Sequence, residues 1–475
     1  MQTKRDQVQS HLCVVGRLNA AIVSGEPDAP DPPMRRVVTG GVAGLVVGAL
    51  VVAGFGVYGL IRPGGSTDWR TEGALVQVKE SAARFVYLGG ELHPVVNFAS
   101  AKLIGGRNSH LVSVHENTIK DAPHGLPVGI TGAPDALPKP DALKGRNWTV
   151  CAAPVADQST GKTADQVVVS LNTPPPASAG SRDEGVLVQS SDTTKYLIWH
   201  GRRHRFTAAT GPFALGYRGV TPYPVAPQWL NMLPAGADLA SPPIPGRGNA
   251  GPDIGGRPTR VGQVFVAASP GTAKQYFVLF GDGLRQVSET LADLVLGDPA
   301  TTGAYPGKTV AALPLQAAAA APHLAPGGQG AGDLPPSPPR LTQDAGRPVC
   351  AVARAGSAQG ATVEVVVPRG GPPAGGVPVT DNDPRTADRV VVTPGTGMLA
   401  RALSAPGSAS GAQYLVTDLG VKYPLPSTDS VSALGYEGVV PVPIPPSMLD
   451  LLPTGPALDR TRATATQPVS PPATQ

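Results

Sequence analysis

The longest apolar run lies near the start of the chain. From Val37 to Ile61 the sequence VVTGGVAGLVVGALVVAGFGVYGLI holds 25 residues and no charge, where about 20 suffice to cross a bilayer core. Gly40, Gly41, Gly44, Gly48, Gly54, Gly56 and Gly59 would weaken a helix in water but are tolerated in lipid. Gly40, Gly44 and Gly48 also form a face of small residues on which another helix can pack closely. The 36 residues before the run are too many for the leading region of a cleaved signal, and the run itself is too long for a signal core. A retained transmembrane helix over 37–61 is therefore expected. Arg35 and Arg36 precede it, whereas Arg62, Arg70 and Lys79 follow, so charge alone barely orients it. In residues 1–36, Val8, Leu12, Val15 and Ile22 recur at helical spacing and predict an amphipathic helix over 4–24, stopped by Gly25 and Pro27. Pro27 to Pro33 reads as a stiff acidic linker.

Beyond Ile61 the pattern changes to short alternating strands, and it repeats. Leu215–Leu239 (LGYRGVTPYPVAPQWLNMLPAGADL) aligns without a gap on Leu434–Leu458 (LGYEGVVPVPIPPSMLDLLPTGPAL), with 13 of 25 positions identical. Chance at this composition would give about two. Pro227 and Pro446 suit the first turn of a short helix, Leu230 with Leu233 and Leu449 with Leu452 face inward, and Gly236 and Gly455 stop it. Weaker copies of a strand-turn-strand unit occur at Arg84–Val95 and Tyr276–Val287, each followed by a helix candidate, Phe98–Ile104 and Glu289–Leu296. Four repeats are expected, near 75–138, 186–240, 261–315 and 405–459.

The Val-rich runs Gln166–Asn172, Gly185–Ser190, Arg260–Ala268, Thr362–Pro368 and Arg389–Thr393 are expected to pair into a central sheet. Residues 316–346 read as a mobile low-complexity linker and residues 460–475 as a disordered tail.

Composition adds three constraints. Glycine (59) and proline (54) are abundant while aromatic residues are only 5%, which favours turns and short strands over long helices. A net charge of +4 over 475 residues gives no reason to expect nucleic acid as a partner. Cys151 and Cys350 lie 199 residues apart, without metal-type spacing. A structural disulfide in an oxidising compartment is their simplest use; two unrelated buried thiols are the alternative. Cys13 precedes the span and is expected to be free.

Catalytic patterns are missing. Gly161-Lys162-Thr163 and Gly307-Lys308-Thr309 lack the earlier glycine of a phosphate loop, Ala156 and Thr302 standing there instead. His110 with His115, and His200 with His204, lack a third ligand nearby, and Arg202 and Arg203 would repel a cation. Arg202, Arg203 and Arg205 read as a local basic patch. No metal and no cofactor are expected.

Several strings in order along the chain resemble the EccB family of actinobacterial type VII (ESX) secretion systems. They are Gln7-Val8-Gln9, Val15-Gly16-Arg17-Leu18, Gly25-Glu26-Pro27-Asp28, Arg62-Pro63-Gly64-Gly65 with Trp69, Gly129-Ile130-Thr131-Gly132-Ala133-Pro134-Asp135, Trp148-Thr149-Val150-Cys151, Pro258-Thr259-Arg260-Val261-Gly262-Gln263-Val264-Phe265, and Tyr276-Phe277-Val278-Leu279 with Gly283-Leu284. The resemblance fades in residues 316–346 and in the tail. It implies an α+β protein of the inner membrane: a cytoplasmic N-terminus, one transmembrane helix, and an elongated extracytoplasmic domain over 62–459. That domain would have a β-rich core and four small α/β repeats in pseudo-two-fold arrangement. Cys151 and Cys350 fall where the family has its core disulfide. The implied partners are EccC-, EccD- and EccE-like components, membrane lipid and further copies of the chain, in a complex exporting proteins. Some members carry an ATPase label, which makes ATP a cofactor by label only. A tethered ATP-hydrolysing subunit and a cell-wall-binding module are the rival readings.

Overall fold

The computed structural model describes residues 3–25, 33–61, 67–107, 109, 111–143, 147–156, 163–174, 183–268, 271, 273–326, 332–342, 346–354, 362–381, 383–403 and 411–468. They divide into two compact units, Met1–Gly90 with Leu111–Pro123, and Glu91–His110 with His124–Gln475.

The first unit holds both long helices. Helix α1 (Lys4–Ser24) starts with a reciprocal cap between Thr3 and Asp6 and ends at Gly25, whose φ of 72° suits glycine. Helix α2 (Pro33–Ile61) carries Pro33 in its first turn, where its missing N–H costs nothing. The stretch Val37–Gly59 has a mean hydropathy of 2.2 and none of it is buried within the protein. A bare apolar helix of this length belongs in lipid, which replaces the packing it lacks.

One four-stranded plan recurs in the rest of the chain. In the second repeat, Val186–Ser190 pairs antiparallel with Lys195–Trp199, that strand pairs antiparallel with Arg202–Arg205, and Tyr223–Val225 returns parallel to the first. The third repeat does the same with Val264–Ala267, Gln275–Phe280, Gly283–Val287 and Leu313–Pro314. The fourth does it with Met398–Ala402, Gln413–Val416, Lys422–Leu425 and Val442–Ile444. A helix fills each parallel crossover: Gly211–Ala214, Glu289–Leu296 and Thr428–Ala433. A short helix follows each fourth strand: Pro227–Asn231, Ala317–Ala320 and Pro446–Leu449. For the first repeat, the N-terminal unit has Leu75–Val78 antiparallel to Arg84–Leu88 and parallel to Leu111–Val114. Its third strand (Glu91–Pro94) and crossover helix (Phe98–Gly105) lie in the second unit.

A separate six-stranded sheet runs Thr362–Val366, Val349–Arg354, Asn147–Ala156, Thr163–Leu171, Arg389–Val392, Val377–Pro378. Trp148, Val150, Val169, Leu171, Val349 and Ala351 on one of its faces join a single core with Trp229, Leu230 and Leu233 of the second repeat and Met448, Leu449 and Leu452 of the fourth. Three of the five runs expected in this sheet are there. Gly185–Ser190 and Arg260–Ala268 are not: they supply the first strands of the second and third repeats. Such a strand is flanked on both edges and largely buried, so it carries the same Val-rich pattern as a central strand.

Three further expectations are corrected. Residues 316–325 complete the third repeat, since Ala317–Ala320 is its short helix and Leu324 bridges Leu284. Ala325 N–H donates to the Leu284 carbonyl, where the second and fourth repeats use Gly236 and Gly455. Residues 332–342 also pack, with Leu334 and Leu341 against buried side chains of the second and third repeats. Residues 460–468 form a helix, Arg460–Ala463, and an antiparallel bridge from Thr466 to Val128; 469–475 lie outside the described residues. Finally, Gly236 and Gly455 do not stop helices, which end before them at Asn231 and Leu449.

Those glycines do something else. In the second repeat the His204 ring lies where a Gly236 side chain would sit, and its Nδ1 contacts the Ala237 carbonyl at 2.9 Å. His93 over Gly125 repeats this, with Nδ1 2.8 Å from the Leu126 carbonyl, and Tyr423 covers Gly455. A Gly236→Ala substitution should cost about 1–3 kcal/mol through overpacking. Adding His204→Ala should return part of that loss. Urea unfolding of the detergent-purified chain measures both; equal midpoints for the single variant and the parent would refute the steric assignment.

Candidate functional site

The one covalent crosslink joins two neighbouring strands of the six-stranded sheet. Asn147–Ala156 and Val349–Arg354 pair antiparallel with Cys151 directly opposite Cys350. The cysteines form a disulfide, with Cα atoms 4.0 Å apart. Each strand leads into its own hairpin, Thr163–Leu171 and Thr362–Val366 respectively. The crosslink thus joins two hairpins of the one sheet. Both sulfur-bearing residues are fully buried, on the face opposite Trp148 and Val150.

The segment entering each of these strands is held by a tyrosine from a distant repeat. The Tyr217 hydroxyl donates to the Pro339 carbonyl and the Tyr436 hydroxyl to the Pro138 carbonyl, both at 2.9 Å. Tyr217 and Tyr436 occupy the same position in the aligned Leu-Gly-Tyr strings. Burial pushes both phenols above their ordinary value, so they remain neutral donors. Gly185 and Gly397, each just ahead of a first strand, bond to the same segments, through Arg340 and Ala142. A second matched pair lies in the third strands. Arg203 donates to the Leu230 carbonyl and to Asn231, while Lys422 Nζ donates to the Leu449 carbonyl at 2.6 Å. Burial lowers the Lys422 pKa, and Asp450, 3.7 Å away, opposes the shift.

The other candidates from sequence do not converge. Lys162 and His110 lie outside the described residues. Lys308 is exposed in a turn after Pro299–Ala304, and extended chain rather than a helix follows it. His115 contacts Glu80 at 2.8 Å on the surface. His200 stacks on Trp199 in a hairpin turn, with φ of 47°, while His204 is the buried ring over Gly236. The basic patch is engaged within its own neighbourhood: Arg205 pairs with Asp238 at 2.7 Å, and Arg202 donates to the Ala235 carbonyl. Among the described residues no three His, Cys, Asp or Glu side chains cluster as a metal site.

Sequence reading missed the tyrosine clamps and the ring-over-glycine contacts. The identical Leu-Gly-Tyr strings and the recurring Pro-x-Gly at 123–125, 234–236 and 453–455 were the available signals.

An apolar helix long enough to cross a bilayer, followed by recurring four-stranded sheets and a crosslinked six-stranded sheet, defines a membrane-anchored protein with a β-rich repeat-built domain. The chain belongs to the EccB family of type VII secretion: residues 1–471 match the family described as "Type VII secretion system ESX-1, transport TM domain B". A relative from Mycolicibacterium smegmatis, "ESX-3 secretion system ATPase EccB3", is 29% identical over 487 residues, covering 96% of this chain and 89% of its own. The fold matches the solved "EccB3 dimer from the ESX-3 core complex" with a TM-score of 0.66 and 26% identity, over 83% of this chain and 100% of that one. It also matches the "periplasmic assembly from the ESX-5 inner membrane complex" with a TM-score of 0.64 and 26% identity, over 87% and 99%.

Two measurements follow from this geometry. Replacing Cys151 and Cys350 together by Ala should lower stability by about 2–5 kcal/mol, read as a shifted unfolding midpoint; no shift would show the sheet to be self-sufficient. The second concerns Asp293, on the crossover helix of the third repeat. Burial, then the Glu289 carboxylate one turn earlier, push its pKa up to about 6 from 3.8. The folded state thus holds this proton more tightly than the unfolded chain. Its stabilising contribution is complete below pH about 4 and is lost as pH rises through about 6. Asp293→Asn should flatten the fall in stability across that window, and an unchanged pH profile would sink the assignment.

Proposed function

We propose that this chain is a structural component of a type VII secretion membrane complex, working with EccC-, EccD- and EccE-like partners and with further copies of itself in protein export. Helix α1 would face the cytoplasm, α2 would cross the inner membrane, and the repeat domain would stand outside. The observation that carries the orientation is the Cys151–Cys350 crosslink, since such bonds persist in oxidising compartments. The likeness to a solved periplasmic assembly supports the same side. Cys13 is exposed on α1 and unbonded, as a cytoplasmic thiol would be.

The domain's chemistry suits holding. Its buried polar groups lock turns and inter-repeat segments, as Tyr217, Tyr436 and Lys422 do. A rigid body on one anchor gives partner subunits a fixed surface to build on.

Purification of a tagged chain in mild detergent from the native host should bring down EccC-, EccD- and EccE-like proteins. Thiol labelling of intact cells should modify Cys13 only with a membrane-permeant maleimide. An isolated monomer would overturn the assembly role, and labelling of Cys13 by an impermeant reagent would overturn the orientation.

A further inference from the structure

The two pairs of repeats are closed by different means. The crossover helices of the second and third repeats, Gly211–Ala214 and Glu289–Leu296, touch each other, and Gly297 lies so close to Ala214 that a side chain there would collide. These repeats are consecutive, so residues 240–260 join them covalently. That connection is itself pinned. Arg247, 12% exposed, bonds Asp298 at 2.6 Å and Thr301 at 3.0 Å. Gly248 and Gly251 donate to the Val261 and Thr259 carbonyls, and Arg260 donates back to the Gly248 carbonyl.

The helices Phe98–Gly105 and Thr428–Ala433 form the matching contact, but they lie more than 300 residues apart in the chain. No connection of that kind can close them. Residues 459–468 bear on this pair instead. Asp459 caps the helix Arg460–Ala463 by accepting from the Arg462 N–H at 2.9 Å. That helix packs on Phe98–Gly105, with Ala463 fully buried. The chain then runs antiparallel to 127–131. Gly129 N–H donates to the Ala465 carbonyl at 3.3 Å and Gln467 N–H to the Pro127 carbonyl at 2.7 Å. The Gln467 side chain donates to the Gly129 carbonyl at 2.7 Å and accepts from Thr131 at 3.2 Å.

The receiving segment is built for this. Gly129, Ile130 and Asp135 wrap the start of Phe98–Gly105: Ile130 N–H donates to Ser100 Oγ, Asn97 donates to the Ile130 carbonyl, and Asp135 accepts from Phe98 N–H, all at 2.8 Å. Gly129 has a φ of 143° and its missing side chain leaves room for Ser100. Its other polar edge is left to residues 465–467.

We propose that residues 459–468 are a detachable clasp that holds residues 127–135 and the helix Phe98–Gly105 against the fourth repeat. The clasp stands in for the covalent connection that the second and third repeats share. Its hold comes from main-chain bonds, one glutamine and one buried alanine, without a crosslink. It is therefore the element of this pair that can release while the disulfide-bonded sheet stays intact.

The test is hydrogen exchange on the detergent-purified full-length chain, compared with the chain stopped after Leu458. Protection at 98–105 and 428–433 should fall by about tenfold or more, while 211–214 and 289–296 hold theirs. A synthetic peptide of residues 459–475 added in trans should restore it. Should the shortened chain not fold, Ala463→Arg and Gln467→Ala in the full chain give the same readout. Unchanged protection at 98–105, or an equal loss in both helix pairs, overturns the clasp.

Discussion

The antiparallel pairing of the strands bearing Cys151 and Cys350 is the contact on which the core of the chain depends. These strands are neighbours in the six-stranded sheet, and each carries its own hairpin outward. Their apolar face receives the short helices of the second and fourth repeats, which also touch each other where Ser447 donates to the Met232 carbonyl. The Trp229 indole donates to the Val150 carbonyl at 3.0 Å, fixing one of those helices to the sheet by a directional bond. Remove the pairing and the two halves lose their shared core together, because neither half buries its own apolar face. The disulfide adds to this by shrinking the unfolded ensemble. The register itself comes from the sheet.

A second consequence of the doubling is that each repeat is finished by a piece of chain from elsewhere. A four-stranded sheet with one crossover helix leaves an open flank, and a domain this small cannot bury it alone. The second repeat covers its flank with the segment at Pro339, and the fourth with the segment at Pro138. Those segments are the approaches to the two central strands. The clamps thus tie the repeats to the sheet at both entrances, and a tyrosine suits them because it brings apolar bulk and a single donor to a buried carbonyl.

Much of this was legible in the sequence, and the failures share causes. The anchor was clear because lipid imposes one rule on the whole span, and Val37–Gly59 obeys it without exception. The second and fourth repeats were clear because they still share their turn residues. The third repeat lost its end to a low-complexity reading because Ala317–Ala320 and Ala325 carry no proline-glycine punctuation where its relatives do. Gly185–Ser190 and Arg260–Ala268 were sent to the wrong sheet because burial on both faces writes the same pattern in either place. Residues 460–468 left no hydrophobic signal, since their attachment rests on backbone bonds and on Ala463. The tyrosine hydroxyls and the rings over glycine depend on residues that meet only after folding, so spacing along the chain could not reveal them.

The cysteine arrangement ties the anchor to the core. Disulfide exchange proceeds through any thiolate that can reach a sulfur, and three cysteines in one oxidising compartment allow more than one pairing. Cys13 is exposed on α1 and would be the most accessible of them. On the orientation proposed above, α2 keeps it in a reducing compartment, away from the other two. Beyond the membrane only Cys151 and Cys350 would then remain, and strand register sets them face to face. Once formed, the bond is sealed inside a fully buried site, where no free thiol can attack it. On that orientation the span would do more than tether the domain: by sorting the thiols it would leave the sheet a single crosslink to make.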